Sequence, residues 1–208
     1  MSRGSVAKIK LSFYPVAYAV TIFAIVVLAL LILQRLAIVP LFPFQTSAAP
    51  TASPTKVLLN YSNAEHGFSL KYPQYWIGSE PEGVIAALVC PMNEHPSTDF
   101  TTNISITYGE LSEESPGTLD EFMVSCEERL IGSSENYNRL SLEEKEISGL
   151  PARVLVWTRN IDEPILTRQA AFFKDKRVYV ITYASLSEFD AEYSHAFDLV
   201  ISTFKFQS

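Results

Sequence analysis

The sequence predicts an α+β domain, with helices packed on a mostly antiparallel sheet, behind a single N-terminal transmembrane helix. One observation is a charge-free run of 24 residues, Leu11 to Gln34, near the start of the 208-residue chain. A second is the alternation of strand-like and helix-like apolar patterns from residue 57 onwards. A third is a sharp change in net charge between these two parts of the chain.

The charge distribution divides the chain in two. Four basic residues and no acid precede Lys56, whereas the remainder carries 12 basic residues against 23 acids. An acidic domain lacks the basic footprint that nucleic acids require, so we expect no nucleic-acid partner. The 2 cysteines are too few for a disulfide-based scaffold. The part from residue 57 onwards is long enough to bury a single core of its own.

Residues 11–39 are predicted to form a transmembrane helix that anchors the chain in the lipid bilayer. The charge-free run alone spans roughly 36 Å as a helix, enough to cross a hydrocarbon core of about 30 Å. A cleaved signal peptide, whose apolar region is usually about 7–15 residues long, is the alternative and fits less well. Basic residues precede the run, and only Arg35 follows it closely. The positive-inside rule therefore places residues 1–10 in the cytoplasm and the C-terminal part outside the cell membrane.

Residues 40–56 are predicted to form a tether between the membrane helix and the exported domain. Pro40 and Pro43 end the helix, and the Pro, Ser, Thr and Ala residues that follow cannot build a core. The last dozen residues of the tether reach roughly 20 Å as a coil. The exported domain is therefore expected to work close to its own membrane.

The exported domain, residues 57–208, contains β-branched and aromatic runs that are bounded by turn residues and predict strands. These runs are 68–72, 84–89, 103–108, 152–158, 166–173 and 178–183. Short links at 148–151 and 174–177 are predicted to join neighbouring strands as antiparallel hairpins. The last residues, 203–206, are again strand-like.

Two segments have helical periodicity. Thr118 and Glu121 form a capping box, and apolar residues from Leu119 to Leu130 follow at spacings of three to four, which predicts a helix with one apolar stripe. A second helix is predicted from Ser187, with one face made of Phe189, Tyr193, Phe197, Val200 and Ile201. A mostly antiparallel sheet with these helices packed on it is the consistent arrangement.

Five short motifs resemble those of PsbP-like domains, in the same order along the chain. Residues 67–76 resemble the GFS-x-x-YP-x-x-W opening of these domains, and residues 102–106 resemble their N-hydrophobic-S-hydrophobic strand. Residues 118–122 resemble the start of their first long helix, and residues 149–152 resemble their Gly-x-Pro-Ala turn. Residues 202–206 resemble their terminal SF-x-F.

This resemblance implies an α/β/α sandwich around a central, mostly antiparallel sheet, as in extracytoplasmic domains of the PsbP, DcrB and LpqN type. It also implies a non-catalytic module that binds or stabilises a membrane or cell-envelope protein complex. PsbP-like domains share no catalytic residues to carry over, and no cofactor is expected.

The segment that follows the apolar run 84–89 contains the residues best suited to metal binding. Cys90, Met92 and His95 are ligand types that copper and zinc prefer, although their spacing matches no established metal-binding pattern. They are the candidate metal ligands, and the simpler interpretation is a polar loop. Cys126 lies on the apolar stripe of the first predicted helix, where it either stays a separate buried thiol or forms a disulfide with Cys90 after export.

No catalytic motif is present in the sequence. It contains no G-x-S-x-G, no Gly-rich phosphate-binding loop and no H-E-x-x-H. We therefore predict that the protein is not an enzyme, and that it is a membrane-anchored module that binds a protein complex of the membrane or envelope. The alternative is a small-ligand or metal-binding envelope domain that senses or delivers its ligand.

Overall fold

The computed structural model describes residues 57–90, 100–133, 136–160 and 163–207. These residues form ten β-strands and two α-helices, numbered in chain order. The strands are β1 Leu58–Asn63, β2 Phe68–Pro73, β3 Ile77–Ser79, β4 Ala86–Val89, β5 Asn103–Glu110, β6 Asn138–Ile147, β7 Leu150–Asn160, β8 Pro164–Lys174, β9 Arg177–Leu186 and β10 Lys205–Phe206. The helices are α1 Leu119–Ser133 and α2 Asp190–Thr203, and a single 3₁₀ turn at Ser187–Phe189 leads into α2.

The strands form two sheets. Seven of them form the larger sheet, in the order β3-β4-β5-β9-β8-β7-β6, and β1, β2 and β10 form a smaller sheet with β2 in the centre. Each pair of neighbouring strands is antiparallel. The prediction of an α+β domain built on a mostly antiparallel sheet is confirmed. The separate three-stranded sheet is a feature that the sequence patterns do not predict.

Two tight hairpins hold strands β6 to β9 in register. The β6–β7 turn has Ser148 and Gly149 at its centre, with φ of 55° and 77°. The β8–β9 turn has Asp175 and Lys176 there, with φ of 49° and 59°. Positive φ at both central residues matches the right-handed twist of the flanking strands. Both hairpins predicted from the sequence are therefore confirmed.

Helix α1 begins with the predicted capping box. The backbone N–H of Glu121 donates to Thr118 Oγ1 at 3.2 Å, and the N–H of Thr118 donates to Glu121 Oε2 at 3.1 Å. These bonds satisfy backbone donors that have no partner within the helix. The buried stripe of the helix consists of Met123, Cys126 and Leu130.

One face of the seven-stranded sheet is covered by α2 together with the three-stranded sheet. Phe204, directly after α2, stacks on Phe68 of β2 with ring centroids 5.1 Å apart and meets Phe172 of β8 edge-on at 5.4 Å. Phe206 of β10 meets Tyr179 of β9 edge-on at 5.0 Å. These are favourable geometries for aromatic pairs, and they join helix α2 and both sheets into one core.

The opposite face of the seven-stranded sheet is covered by α1. Met123 and Leu130 of the helix belong to one apolar cluster with Leu155 and Trp157 of β7 and Val180 of β9. Strand β7 serves both cores, because alternate residues of a strand point to opposite faces of the sheet. Helices thus lie on both faces of the central sheet.

The predicted membrane helix, residues 11–39, and the tether, residues 40–56, lie outside the described residues and stay predictions. Within the described part of the chain, no helix is both long enough and apolar enough to span a membrane.

Trp76 and Ile77 are neighbours with opposite burial, and they offer a matched test of the core. Trp76 is 2% exposed and Ile77 is 55% exposed. We expect Trp76→Ala to lower the free energy of unfolding by about 3–5 kcal/mol, because it opens a cavity in the core. Ile77→Ala should change it by less than about 0.5 kcal/mol. Urea unfolding of the full chain measures both values, and equal effects would contradict the assignment of Trp76 to the core.

Candidate functional site

The candidate site is formed by helix α1 and the outer strand β6, residues 119–133 and 138–147, which we call the α1–β6 surface. Strand β6 is the last strand of the seven-stranded sheet and pairs with β7 along one edge. Within the described residues, no strand pairs with its other edge. The backbone groups on that edge are therefore available to a partner.

Ion pairs at two positions connect helix α1 to strands β7 and β6, and the order of their residues shows that α1 and β6 run in opposite directions. At one end, Arg153 of β7 lies 2.7 Å from Asp120 of α1 and 3.1 Å from Glu144 of β6. At the other end, Arg139 of β6 donates to Glu127 of α1 at 2.9 Å. Exposed ion pairs stabilise a fold only slightly. We therefore assign these contacts a positioning role rather than a stabilising one.

Four apolar side chains of α1 and β6 are exposed near these ion pairs. Val124 and Ile131 of α1 are 56% and 60% exposed, and Leu140 and Leu142 of β6 are 53% and 44% exposed. Val124 falls between Asp120 and Glu127 along α1, and Leu142 falls between Arg139 and Glu144 along β6, so each lies between the charged ends of its own element. Leu142 is directly opposite Leu155, which is buried under α1, so Leu142 also lies on the α1 face of the sheet. Apolar side chains exposed inside a polar rim are typical of a protein-interaction site.

The α1–β6 surface is acidic. With the adjoining Arg153, it carries seven carboxylates and four basic side chains, namely Asp120, Glu121, Glu127, Glu128, Glu143, Glu144 and Glu146 against Arg129, Arg139, Lys145 and Arg153. The excess of negative charge favours a partner surface that carries Lys or Arg. The only local signal for this surface in the sequence is the step from Leu140 and Leu142 to the run of acids that follows.

At the two ends of the surface, the pKa values of Arg153 and Tyr137 are moved away from neutrality. The hydrogen bond from Arg153 to Asp120 raises the pKa of the arginine. Burial, together with a hydrogen bond to Glu127, raises the pKa of the Tyr137 hydroxyl. The surface offers paired charges and exposed apolar side chains, a combination that suits binding.

Cys90, the first of the three candidate metal ligands, lies in the core. Its side chain is fully buried, in the same cluster as Tyr183 and Tyr193. Its backbone N–H donates to the carbonyl of Thr102 at 3.0 Å, which joins the end of β4 to the start of β5. The geometry favours a structural role for Cys90.

Cys90 and Cys126 are both buried and are not bonded to each other in this structure. Cys126 is on the buried stripe of α1, on one side of the seven-stranded sheet, whereas Cys90 belongs to the core on the other side. The sheet separates the two sulfur atoms. Burial raises the pKa of the Cys126 thiol to about 11 despite the nearby charge of Arg129, so Cys126 is protonated at neutral pH.

Met92 and His95, the other two candidate ligands, lie outside the described residues, and the metal-site hypothesis stays a prediction. Among the residues that the structure describes, no group of three or more His, Cys, Asp or Glu side chains could hold a metal ion.

The structure brings together a Tyr–His pair that the sequence does not predict. The Tyr75 hydroxyl lies 3.3 Å from His195 Nε2, and His195 Nδ1 lies 2.7 Å from the carbonyl oxygen of Glu192. A carbonyl only accepts hydrogen bonds, so Nδ1 donates to it, and in the tautomer that carries its single proton on Nδ1 the Nε2 atom accepts from the Tyr75 hydroxyl. The two side chains are 120 positions apart, and no local motif links them.

Comparison with protein families matches residues 16–206 to a family described as PsbP-like protein. This range contains nearly all of the described residues and continues into the N-terminal part of the chain. A sequence comparison with curated proteins finds no significant match.

Several solved structures are similar to this chain. The cyanobacterial PsbP, CyanoP, of Synechocystis is similar with a TM-score of 0.52 at 15% identity, over 77% of this chain and 98% of that chain. The Ran-binding protein Mog1p of Saccharomyces cerevisiae is similar with a TM-score of 0.52 at 12% identity, over 73% and 96% of the two chains. LpqN of Mycobacterium tuberculosis, involved in cell envelope biogenesis, has a TM-score of 0.48 at 11% identity, over 76% and 88%. At such identities the likeness to CyanoP and Mog1p establishes the fold alone.

Both cysteines are expected to resist alkylation in the folded chain. The thiolate is the reactive species, and at pH 8 burial keeps Cys126, with its pKa of about 11, almost entirely protonated. Treatment with iodoacetamide without reductant, read by mass spectrometry, should add no label to the folded chain and one label per cysteine after denaturation. Cys126→Ser, the control, should accept one label when denatured. Failure of the denatured wild-type chain to accept a label at each cysteine would indicate a disulfide.

Proposed function

Because the chain belongs to the PsbP-like family, we propose that it is a membrane-anchored, non-catalytic accessory module that binds and stabilises a protein complex of the membrane or cell envelope. In this proposal residues 11–39 span the cell membrane, residues 1–10 are cytoplasmic, and the domain from residue 57 onwards is extracytoplasmic. The family is generally non-enzymatic, which supports binding rather than turnover.

The observation that carries the proposal is the α1–β6 surface. Val124 and Leu142 are exposed between charged groups that are held in place by ion pairs. Apolar area supplies affinity in a protein interface, whereas charges at the rim mainly set specificity and the rate of association. A catalytic site would instead call for groups whose pKa values are moved towards neutrality.

A structural neighbour supports the choice of a protein as the partner. Mog1p, which shares the fold, is a Ran-binding protein, so this fold is compatible with a protein-binding surface. The likeness supports a protein partner in general, and not Ran itself.

The predicted anchor strengthens the proposal through effective concentration. A tether of residues 40–56 would keep the domain within a few tens of Å of the membrane. Holding two binding partners this close converts a weak docking event into a nearly intramolecular one. The acidic domain then favours a membrane-associated partner that presents Lys or Arg.

A small-ligand or metal-binding envelope domain is the second candidate function. The observation that favours it is the position of Cys90, which precedes Met92 and His95 in the chain. Tyr75, the partner of His195, packs against the core cluster that contains Cys90. A stoichiometric metal or small molecule in the purified full chain, with no protein partner, would favour this candidate.

The proposed topology predicts the outcome of protease treatment. Basic residues precede the apolar run and only Arg35 follows it closely, so external protease on intact cells should remove the domain from residue 57 onwards and leave a short membrane stub. Immunoblotting with tags at each end of the chain measures this, and a cytoplasmic marker protein is the control for intact membranes. Protection of the C-terminal tag in intact cells would contradict the outward orientation.

The proposed tethering predicts that partner binding depends on the anchor. Removing residues 1–44 should lower occupancy of the partner by about 100-fold or more, through lost effective concentration alone. Raising the salt from about 0.05 to 0.5 M should also slow association, because the Debye length shortens to roughly 4 Å. Co-purification from detergent-solubilised membranes compares the intact and shortened chains at both salt concentrations. Equal recovery of one specific partner by both chains would refute the tethering.

A further inference from the structure

We propose that strand β6 is a docking edge to which an extended segment of the partner protein adds as an eighth, antiparallel strand, a mode of binding that rests on the protein-partner function proposed for this chain. The segment would carry basic side chains opposite Glu144 and Glu146 and an apolar side chain opposite Leu142. Strand addition supplies affinity through backbone hydrogen bonds and specificity through alternate side chains.

The length of β6 makes it the suitable edge of the large sheet. It has 10 residues, whereas β3, the strand at the opposite edge, has 3. Most of its side chains are exposed along its whole length, so neither face of the strand is buried beneath other described elements. A long, exposed edge strand presents a row of backbone donors and acceptors that can pair with another chain.

A bulge limits the pairing to the second part of the strand. The register between β6 and β7 shifts between Arg139 and Ser141 and is regular from Ser141 to Ile147. Bulges interrupt the regular ladder and discourage unselective pairing with other strands. The regular part offers a partner positions 141–147.

The register determines which side chains of the partner would meet which residues of β6. Leu142 and Glu144 of β6 lie directly opposite Leu155 and Arg153 of β7, which are on the α1 face of the sheet. Glu146 is on the same face, because alternate residues of a strand point to the same side. Residues directly opposite on neighbouring strands are in contact on the same face. An antiparallel segment would therefore read Lys/Arg-x-Lys/Arg-x-apolar.

The apolar position of this pattern fits the gap between the ion pairs. Leu142 is 44% exposed and lies on the same face of the sheet as α1. A side chain opposite Leu142 would cover this exposed leucine.

Charge favours a basic partner over a second copy of this chain. The α1–β6 surface has seven carboxylates against four basic side chains, so two copies paired edge to edge would bring like charges together. Like charges on adjacent strands are destabilising. A segment with Lys or Arg opposite Glu144 and Glu146 instead brings opposite charges together.

The test uses the full-length chain in detergent micelles and a synthetic peptide, Thr-Lys-Thr-Lys-Thr-Val-Thr, with blocked ends. In antiparallel register its Val lies opposite Leu142 and its two Lys lie opposite Glu144 and Glu146. We expect the peptide to slow deuterium uptake across β6, measured by mass spectrometry, with no change across β3. A peptide with Glu in place of both Lys should bind at least tenfold more weakly. Absence of binding by the Lys peptide at millimolar concentration, or protection elsewhere in the chain only, would overturn the proposal.

Matched variants locate the contact. Leu142→Glu should lower the affinity of the chain for the Lys peptide at least tenfold. Ile77→Glu makes a similar change at an exposed site on the opposite edge strand, and it should leave this affinity unchanged. Both variants should melt like the wild type, because each replaces an exposed side chain. Glu146→Lys should lower the affinity for the Lys peptide. The same variant should bind Thr-Glu-Thr-Lys-Thr-Val-Thr, whose Glu lies opposite position 146, more tightly than the wild type does. A merely structural effect of the substitution would not produce this exchange of preference. Lack of this charge-swap rescue would contradict the register.

The same variants separate this proposal from the proposed function. If the wild type and Leu142→Glu recover the same specific partner equally well, strand addition at β6 is refuted, whereas the proposed partner-binding function still stands. Loss of the partner with Leu142→Glu but not with Ile77→Glu would support both.

Discussion

The seven-stranded sheet carries apolar side chains on both faces, and both faces must be removed from water. Strand β7 shows the requirement most directly, because Val154 and Val156 point to one core and Leu155 and Trp157 to the other. Each face therefore needs its own cover. Helix α2 and the small sheet cover one face through aromatic contacts centred on Phe204, and α1 covers the other.

The two covers differ in extent, and this difference creates the α1–β6 surface. One face is covered by a helix and a three-stranded sheet together, whereas the other has a single helix of 15 residues. The buried stripe of that helix, centred on Met123 and Leu130, packs towards the middle of the sheet rather than its outer strand. Strand β6 is left with exposed side chains on both faces. Its charged residues keep most of it compatible with water, and Leu140 and Leu142 are the exceptions.

The chemistry of the described residues suits recognition. The two cysteines are buried on opposite sides of the sheet, and burial raises the pKa of Cys126 far above neutrality. The exposed carboxylate of Asp120 is paired with Arg153. Fixed charges beside exposed apolar side chains define a surface that can select a partner by shape and charge, in keeping with a family that is generally non-enzymatic.

The sequence by itself determined most of the local elements and the family of this protein, but the strands β1, β3 and β6 have no clear alternating pattern and are not among the predicted runs. The capping box at Thr118 and the turn at Ser148 are encoded by backbone preferences that act within a few residues, and the order of the short motifs identifies the PsbP-like domain. Only the tertiary structure decided that Cys90 and Cys126 lie on opposite sides of the sheet, that Tyr75 meets His195, and that an ion pair links α1 to the outer strand. These relations join residues far apart in the chain, and they follow from how two apolar faces are covered at once, which no local period or spacing encodes.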